Sequence, residues 1–488
     1  MPRPDPSAKA CPVSARGPAA APATPPASAA GLWTPARAEA HLRSLELFGM
    51  RFGLDRMRRL LTVLGSPQRR FRSLQVLGTN GKSSTTKMIA AILERHGLRT
   101  GAYTSPHLVS YGERLQVAQR DVSAEAFARA IGRAASATER VNRSLPGDDH
   151  VTQFELLTAA ALSEMAEQEV QVAVVEAGLG GRYDATSVIE SPVTVLTNVA
   201  LEHTRWLGPT VRDIAGEKLA VVRPGGTLVL APDLDPQALA VAREVAGERG
   251  ARIVWASEPP LEAPEVAEGE TEEGGGELSN RGARARVPAP APARTHAHAH
   301  ARAAFQRKNF ALATAAAEAF LREAHIELDP KAVREAELTV EVAGRLHTLA
   351  DEPLTILDGA HNPHAVAALV ESLPAAVGGR EVGLVMGVLE DKDAATMLAT
   401  LLPLCGRAWF TAPDSPRALS PAALQSLARQ LGFERAACEP DPGRALGQAR
   451  AWAAAGDTPA NGRAVLATGS VYLVGELLRD DLGWENLQ

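Results

Sequence analysis

Short runs of Val, Ile and Leu recur along the chain, separated by longer Ala-rich stretches in which apolar residues return every three or four positions. The short runs fit strands buried on both faces, and the longer stretches fit helices with one apolar face. On this reading strands occupy 74–77, 172–175, 193–197 and 227–230, and, in the second half, 355–357, 383–386, 408–410 and 464–467. Strands alternating with helices predict parallel sheets with right-handed connections, so both halves are expected to be α/β. Ligands in such folds bind beyond the carboxyl ends of the strands, which directs attention to the residues that follow each run.

Two segments break the pattern. Residues 1–31 are dominated by Ala, Pro and Ser, and are expected to be a disordered tail. Around 258–303 an acidic Glu/Gly stretch passes into a Pro/Ala/Arg/His run ending in His296, His298 and His300, which predicts a solvated insertion within a domain. The alternate histidines would share one face of an extended strand and could hold a metal, but the composition favours a flexible linker.

Composition narrows the class. A chain of 488 residues suits two domains plus accessory segments. Its 51 basic and 57 acidic residues give a net charge of −6, which carries no nucleic-acid footprint. Cys11, Cys405 and Cys438 lie far apart without zinc or disulfide spacing, which fits a reducing cytoplasm. No apolar run approaches the roughly 18 residues that would cross a bilayer, and the N-terminus lacks a signal-peptide pattern. No membrane partner is expected.

After the first strand comes Gly78-Thr79-Asn80-Gly81-Lys82-Ser83-Ser84, followed by a helical pattern with Met88, Ile89, Ile92 and Leu93 on one face. Strand, glycine loop and helix stand in the order a phosphate site requires. Glycines allow backbone N–H groups to approach phosphate oxygens, Lys82 adds a positive charge, and the helix N-terminus contributes its dipole. The loop has fewer residues between its glycines than the usual phosphate-loop motif, and by itself specifies ATP or GTP. Glu176 ends the second strand beside Gly178, Gly180 and Gly181, where a carboxylate can hold Mg²⁺ against nucleotide phosphates. Glu202-His203-Thr204 follows the third strand, where His203 is either a structural histidine or a ligand. Lys218, on a later helical stretch, would by itself read as a solvated charge.

Together with further segments, these residues resemble the folylpolyglutamate synthase and dihydrofolate synthase family, a branch of the Mur ligases. The match runs through Gly78 to Lys82, Tyr103 to Leu108, Glu113-Arg114, Thr152 to Glu155 and Glu176 to Thr186. It continues through His203-Thr204, Leu207-Gly208, Glu217-Lys218, Phe305-Gln306 with Asn309, and Gly344 to Leu346. Leu357 to Pro363, Asp391 to Asp393 and Gly469 to Leu473 complete it. The resemblance implies a phosphate-loop ATPase domain at 32–338, interrupted by the insertion, and a smaller Rossmann-like glutamate ligase domain at 339–488. It implies that Gly78, Thr79, Asn80, Gly81, Lys82, Ser83 and Ser84 hold ATP phosphates, and that Asn309, Arg345 and Asp358 complete the nucleotide site. Ser105, Glu176 and His203 would position Mg²⁺, joined by Lys218 as a carbamate, with Lys82, Lys218, His203 and Glu176 forming the catalytic set. The pterin-bearing substrate would lie against Gly49, Met50 and Arg51, against Thr152, Gln153, Phe154 and Glu155, and against Tyr183, Asp184 and Ala185. Glutamate would lie near His361, Ser470 and Tyr472. The cofactors implied are ATP, two Mg²⁺ ions and K⁺. The partners are ATP, L-glutamate and either dihydropteroate or a reduced folate, bound by a monomer.

The chain departs from the family pattern at Ser83, where Gly is usual, at Glu202, where Asp is usual, and at Leu219-Ala220, where Ala-Gly is usual. The extra methylene of Glu202 changes the reach of the acid beside His203. A cell-wall Mur ligase shares the chemistry but would need a dedicated nucleotide-precursor domain ahead of Gly78, and a catalytically silent relative would not need candidate contacts in both halves.

Overall fold

The computed structural model describes residues 33–45, 52–257, 303–455 and 462–481. The tail at 1–31, the insertion at 258–303 apart from Ala303, and Gly49, Met50 and Arg51 lie outside the described residues.

The first sheet contains β1 (Arg72–Leu77), β2 (Thr100–Tyr103), β3 (Leu115–Val117), β4 (Arg120–Asp121), β5 (Val172–Glu176), β6 (Val193–Leu196), β7 (Thr227–Leu230) and β8 (Arg252–Trp255). Its order is β4-β3-β2-β5-β1-β6-β7-β8. The strands from β2 to β8 across this order pair in parallel, and β3 and β4 add an antiparallel edge. Every residue of β5, β6 and β7 is buried, as expected for strands covered on both faces. Alternation sorts the side chains of β5. Val172 and Val174 join helices Lys82–Arg95 and Ala304–Glu323 on one face, while Ala173 and Val175 join helices Ala124–Asn142 and Gln153–Glu167 on the other.

The second sheet contains β9 (His347–Asp351), β10 (Leu354–Leu357), β11 (Glu381–Met386), β12 (Cys405–Phe410), β13 (Ala436–Cys438) and β14 (Arg463–Thr468), ordered β13-β12-β11-β14-β10-β9. β9 runs antiparallel to β10 and the remaining pairs are parallel. Each of the eight strands read from apolar runs is present. Of those the pattern missed, β2, β3, β4, β9 and β13 are short or carry Thr, Gly, Ala and charged residues, so pairing with neighbours more than composition makes them strands, whereas β8 carries the apolar run Ile253-Val254-Trp255 that the reading passed over.

A loop after β2 ties the two halves together. Leu108 and Val109 pack into the apolar cluster of Leu473, Val474 and Leu477 in the second half. Glu113 stiffens this loop by accepting the N–H groups of Leu108 at 2.9 Å, Val109 at 2.8 Å and Ser110 at 2.6 Å. A Cβ at Gly475 would overlap the carbonyl oxygen of Leu108, so the helix Val471–Asp481 can approach this closely because it carries no side chain there.

Candidate active site

The carboxyl ends of β1, β2, β5, β6 and β10 border one cavity of about 1510 Å³ lying between the two halves. Its floor is the phosphate loop. Gly81, with φ of 81°, caps helix Lys82–Arg95, and a Cβ there would stand 2.6 Å from Asn309 Oδ1. At Gly78 a Cβ would overlap Thr197 Oγ1, so both glycines are required by close approach of the chain. The rear of the loop is tied down: Thr79 N donates to Asn198 O at 3.0 Å, Asn80 N to Asn198 Oδ1 at 2.9 Å, and Thr197 Oγ1 to Asn80 O at 2.6 Å. The donors left for an anion are those of the first helical turn, at Lys82, Ser83 and Ser84, where the helix dipole is positive. Lys82 Nζ lies over the loop and donates to Thr79 O at 3.0 Å.

Glu176 is buried at the tip of β5, accepts Ser105 N at 3.1 Å and is hydrogen-bonded by the Ser83 hydroxyl. Burial raises its carboxyl pKa, while Lys82, Ser83 and Ser105 act against that rise. A carboxylate beside a hydroxyl at the mouth of a phosphate loop is an oxygen donor set suited to Mg²⁺, which takes few protein ligands and completes its shell with phosphate and water. Among the described residues no three His, Cys, Asp or Glu side chains cluster as a metal cage. The Ser83 departure therefore supplies an oxygen at the point where one is useful.

His203 follows β6 in a left-handed conformation, φ 52°, facing the cavity. Burial, together with Lys392, Lys82 and Lys218, lowers its pKa to about 4 against the opposing pull of Glu202, so the ring is neutral at pH 7 and able to ligate a metal. Lys218 is not the solvated cation its helical position suggested. It is buried, its Nζ donates to Gly78 O at 2.7 Å, and burial with the nearby Lys82 charge brings its pKa down to about 7.

The second half contributes Arg345, Asp358 and His361 to the same cavity. Asp358, buried beyond β10, accepts Leu346 N and Ala360 N at 2.8 Å each, and burial raises its carboxyl pKa. Asn309 stands over Gly81, and Gln306 Nε2 holds Arg345 O at 3.0 Å.

Lys218, Tyr183 and the other singled-out residues that follow stand outside the cavity lining. Thr152 and Glu155 form a capping box on helix Gln153–Glu167, Glu155 also pairs with buried Arg56, and Gln153 donates to Leu42 O at 2.7 Å. Phe154 presses against Gly178, which lines the cavity. Asp184 is a buried loop organiser that accepts Leu179 N and both Thr186 donors, and Ala185 is buried beside it. Ser470 is buried and accepts Tyr472 N at 3.1 Å, while Tyr472 is exposed.

Sequence reasoning assigned no role to several further residues. Phe52 and Trp206 join Tyr183 in an exposed ring cluster outside the cavity lining, with centroids 5.6 Å apart for Phe52–Tyr183 and 6.2 Å for Phe52–Trp206. Asn362 and Lys392, both inside the matched segments, meet Asn80 and Glu202 across the cleft. The signal for the rings was the occurrence of large aromatic side chains beside polar motifs.

A phosphate-loop unit faces a second, mostly parallel-sheet unit over a shared cavity, and both units match Mur ligase domains. Residues 76–255 match the Mur ligase middle domain, and residues 344–471 match the Mur ligase glutamate ligase domain. Within that class the chain belongs to the folylpolyglutamate synthase/dihydrofolate synthase family. It is 31% identical over 375 residues to folylpolyglutamate synthase of Lacticaseibacillus casei, covering 76% of this chain and 84% of that one. Mycobacterium tuberculosis folylpolyglutamate synthase complexed with ADP superposes with a TM-score of 0.78 at 28% identity, covering 92% of this chain and 98% of that one. The bifunctional folylpolyglutamate synthase/dihydrofolate synthase of Yersinia pestis, complexed with AMPPNP and Mn ion, gives a TM-score of 0.70 at 29% identity, covering 92% and 98%.

Proposed function

We propose that the protein is an ATP-dependent ligase that joins L-glutamate to the carboxylate of dihydropteroate or of a reduced folate. The observation that carries this reading is the single cavity in which the phosphate loop and Glu176 of one half face Arg345, Asp358 and His361 of the other. A carboxylate does not expel oxide, so its oxygen takes the γ-phosphoryl group of ATP and releases ADP. The glutamate amine then attacks the acyl carbon, a C–N bond forms, the C–O bond to phosphate breaks, and the amine proton is lost.

The chain's own contribution is placement and charge. Lys82 and the N–H groups of Gly81 to Ser84 hold the phosphates, with Gly78, Thr79 and Asn80 shaping the loop. Asn309, Arg345 and Asp358 fix the nucleotide. Glu176, Ser83, Ser105 and His203 would hold Mg²⁺, which would neutralise phosphate charge. A lysine with pKa near 7 is partly unprotonated. The Lys218 nitrogen can therefore add to CO₂ and shed a proton, and the carbamate so formed would serve a second ion. K⁺ is the further cation in this reading. Phe52, Tyr183 and Trp206, with Phe154 behind Gly178, offer rings to the pteridine or benzoyl part of the acid substrate. In this reading glutamate lies near His361, Ser470 and Tyr472.

In this reading the chain divides near residue 339 into ATPase and glutamate ligase domains, acts as a monomer and works in the cytoplasm. Among the described residues no helix is long and apolar enough to cross a membrane. Incubation with ATP, Mg²⁺, glutamate and either dihydropteroate or tetrahydrofolate tests the reading. Amide detected by mass spectrometry with one or both acids supports it, and ATP turnover without amide overturns it.

A further inference from the structure

Glu202 is a carboxylate nearly out of solvent, with side-chain exposure of 12%, and its Oε1 atom receives contacts from three side chains of the other half. Lys392 Nζ lies at 3.0 Å, Asn362 Nδ2 at 3.3 Å and His361 Nε2 at 3.5 Å. Lys392 is as enclosed as its partner, at 11%, and is steadied by Asp391 Oδ2 at 3.6 Å, while Arg417 pairs with Asp391 Oδ1 at 3.2 Å.

The same contact region reaches the phosphate loop. Asn362 Nδ2 donates to Asn80 Oδ1 at 2.9 Å and Asn80 Nδ2 donates back to Asn362 Oδ1 at 3.3 Å, with His364 Nδ1 at 3.2 Å from the Asn80 amide. Asn362 Oδ1 also accepts Ala365 N at 2.8 Å and so caps helix Pro363–Val377. One amide therefore touches the phosphate loop, Glu202 and the start of a helix of the second half.

We infer that Glu202 and Lys392 form a latch across the cleft that holds segment 358–364 on the phosphate loop during turnover, making both of them positioning residues for amide formation. An ion pair that trades desolvation against attraction is near balance, which suits a contact that must close over substrates and open for products. Its effect on the reaction is exclusion of water. An acyl phosphate in an open cleft is hydrolysed: water adds its oxygen to the acyl carbon, phosphate leaves, and ATP is spent without an amide. Glu202 suits the role because its chain reaches Lys392; shortening it to Asp would withdraw the carboxylate by about 1.5 Å, beyond hydrogen-bonding distance.

The inference rests on the ligase reading, and the test separates the two. Phosphate released and amide formed are measured together for the wild-type enzyme and for Lys392→Met, Lys392→Arg, Glu202→Gln and the double variant E202Q/K392M. In Lys392→Met the ratio of phosphate to amide is expected to rise about five-fold or more, and Lys392→Arg, which keeps charge and reach, to stay coupled. Glu202→Gln should share the defect, and the double variant should be no worse than the worse single one, because both changes break the same contact. A proportionate fall of phosphate and amide in Lys392→Met, or equal uncoupling in Lys392→Arg, overturns the latch. Absence of amide with the wild-type enzyme overturns the ligase reading instead.

Discussion

The side-chain nitrogen of Lys218 donates a 2.7 Å hydrogen bond to the carbonyl oxygen of Gly78, the first glycine of the phosphate loop. A buried lysine beneath a phosphate site, close enough to Lys82 for the two charges to repel, is costly unless its charge is changed. Conversion to a carbamate replaces a cation that would repel Mg²⁺ with an anion that attracts it. Lys218→Ala should therefore lose most activity and regain part of it in added acetate or formate, while Lys218→Arg stays inactive. Steady-state rates with and without the anion decide the matter, and full activity of Lys218→Ala without added anion would end the carbamate assignment.

The same lysine makes a prediction about stability and pH. Its folded pKa of about 7 lies below its ordinary value of 10.5, so between those limits the unfolded chain binds more protons than the folded one. Stability from this group accordingly rises with pH across that window; below it the full cost of the buried cation remains. In bicarbonate-free buffer, the advantage of Lys218→Met over wild type in chemical denaturation should shrink as pH is raised from 7 towards 10. A constant difference would show that Lys218 does not titrate in this range.

Lys82 bears on phosphate and not on the core: its bond is to a loop carbonyl, and the helix behind it is anchored by Met88, Ile89 and Ile92. Lys82→Ala should reduce turnover by about 100-fold or more, with an unchanged melting temperature. Ile89→Ala should do the reverse in kind, destabilising the fold by roughly 2–5 kcal/mol through the cavity it opens. Calorimetry beside turnover distinguishes the two, and wild-type-like activity in Lys82→Ala would remove the nucleotide assignment.

What was legible in the sequence follows from where the forces are local. Buried parallel strands such as β5 and β7 announce themselves as unbroken apolar runs, and the phosphate loop does so because strand, glycines and helix are contiguous. The buried setting of Lys218 could not be read, because its hydrogen-bond partner Gly78 lies 140 positions away in sequence. Thr152 and Glu155 show the opposite difficulty: a motif that invites a ligand role also performs a capping box and an ion pair with Arg56, and both uses select the same residues. The Glu202 contact with Lys392 spans 190 positions and depends on how the two halves meet, which no local pattern encodes.

Phe52, Tyr183 and Trp206 leave 57%, 49% and 40% of their surface exposed, an expensive arrangement for three rings unless something flat is to be placed against them. Trp206 belongs to the short helix Thr204–Leu207, which begins directly after His203, so the cluster is within one helical turn of a cavity-lining residue. Arg205 lies over the Trp206 ring at 5.1 Å and leaves a positive charge beside it, suited to a substrate that carries a carboxylate as well as rings. Trp206→Ala should raise the KM for the folate-type acid about ten-fold, the equivalent of roughly 1.4 kcal/mol of lost stacking, while the KM for ATP and the melting temperature stay at wild-type values. Trp206→Phe should recover much of the loss, since it restores a ring without the indole N–H. An equal rise in both KM values would place Trp206 in the closure of the cleft as a whole and not in recognition of the acid.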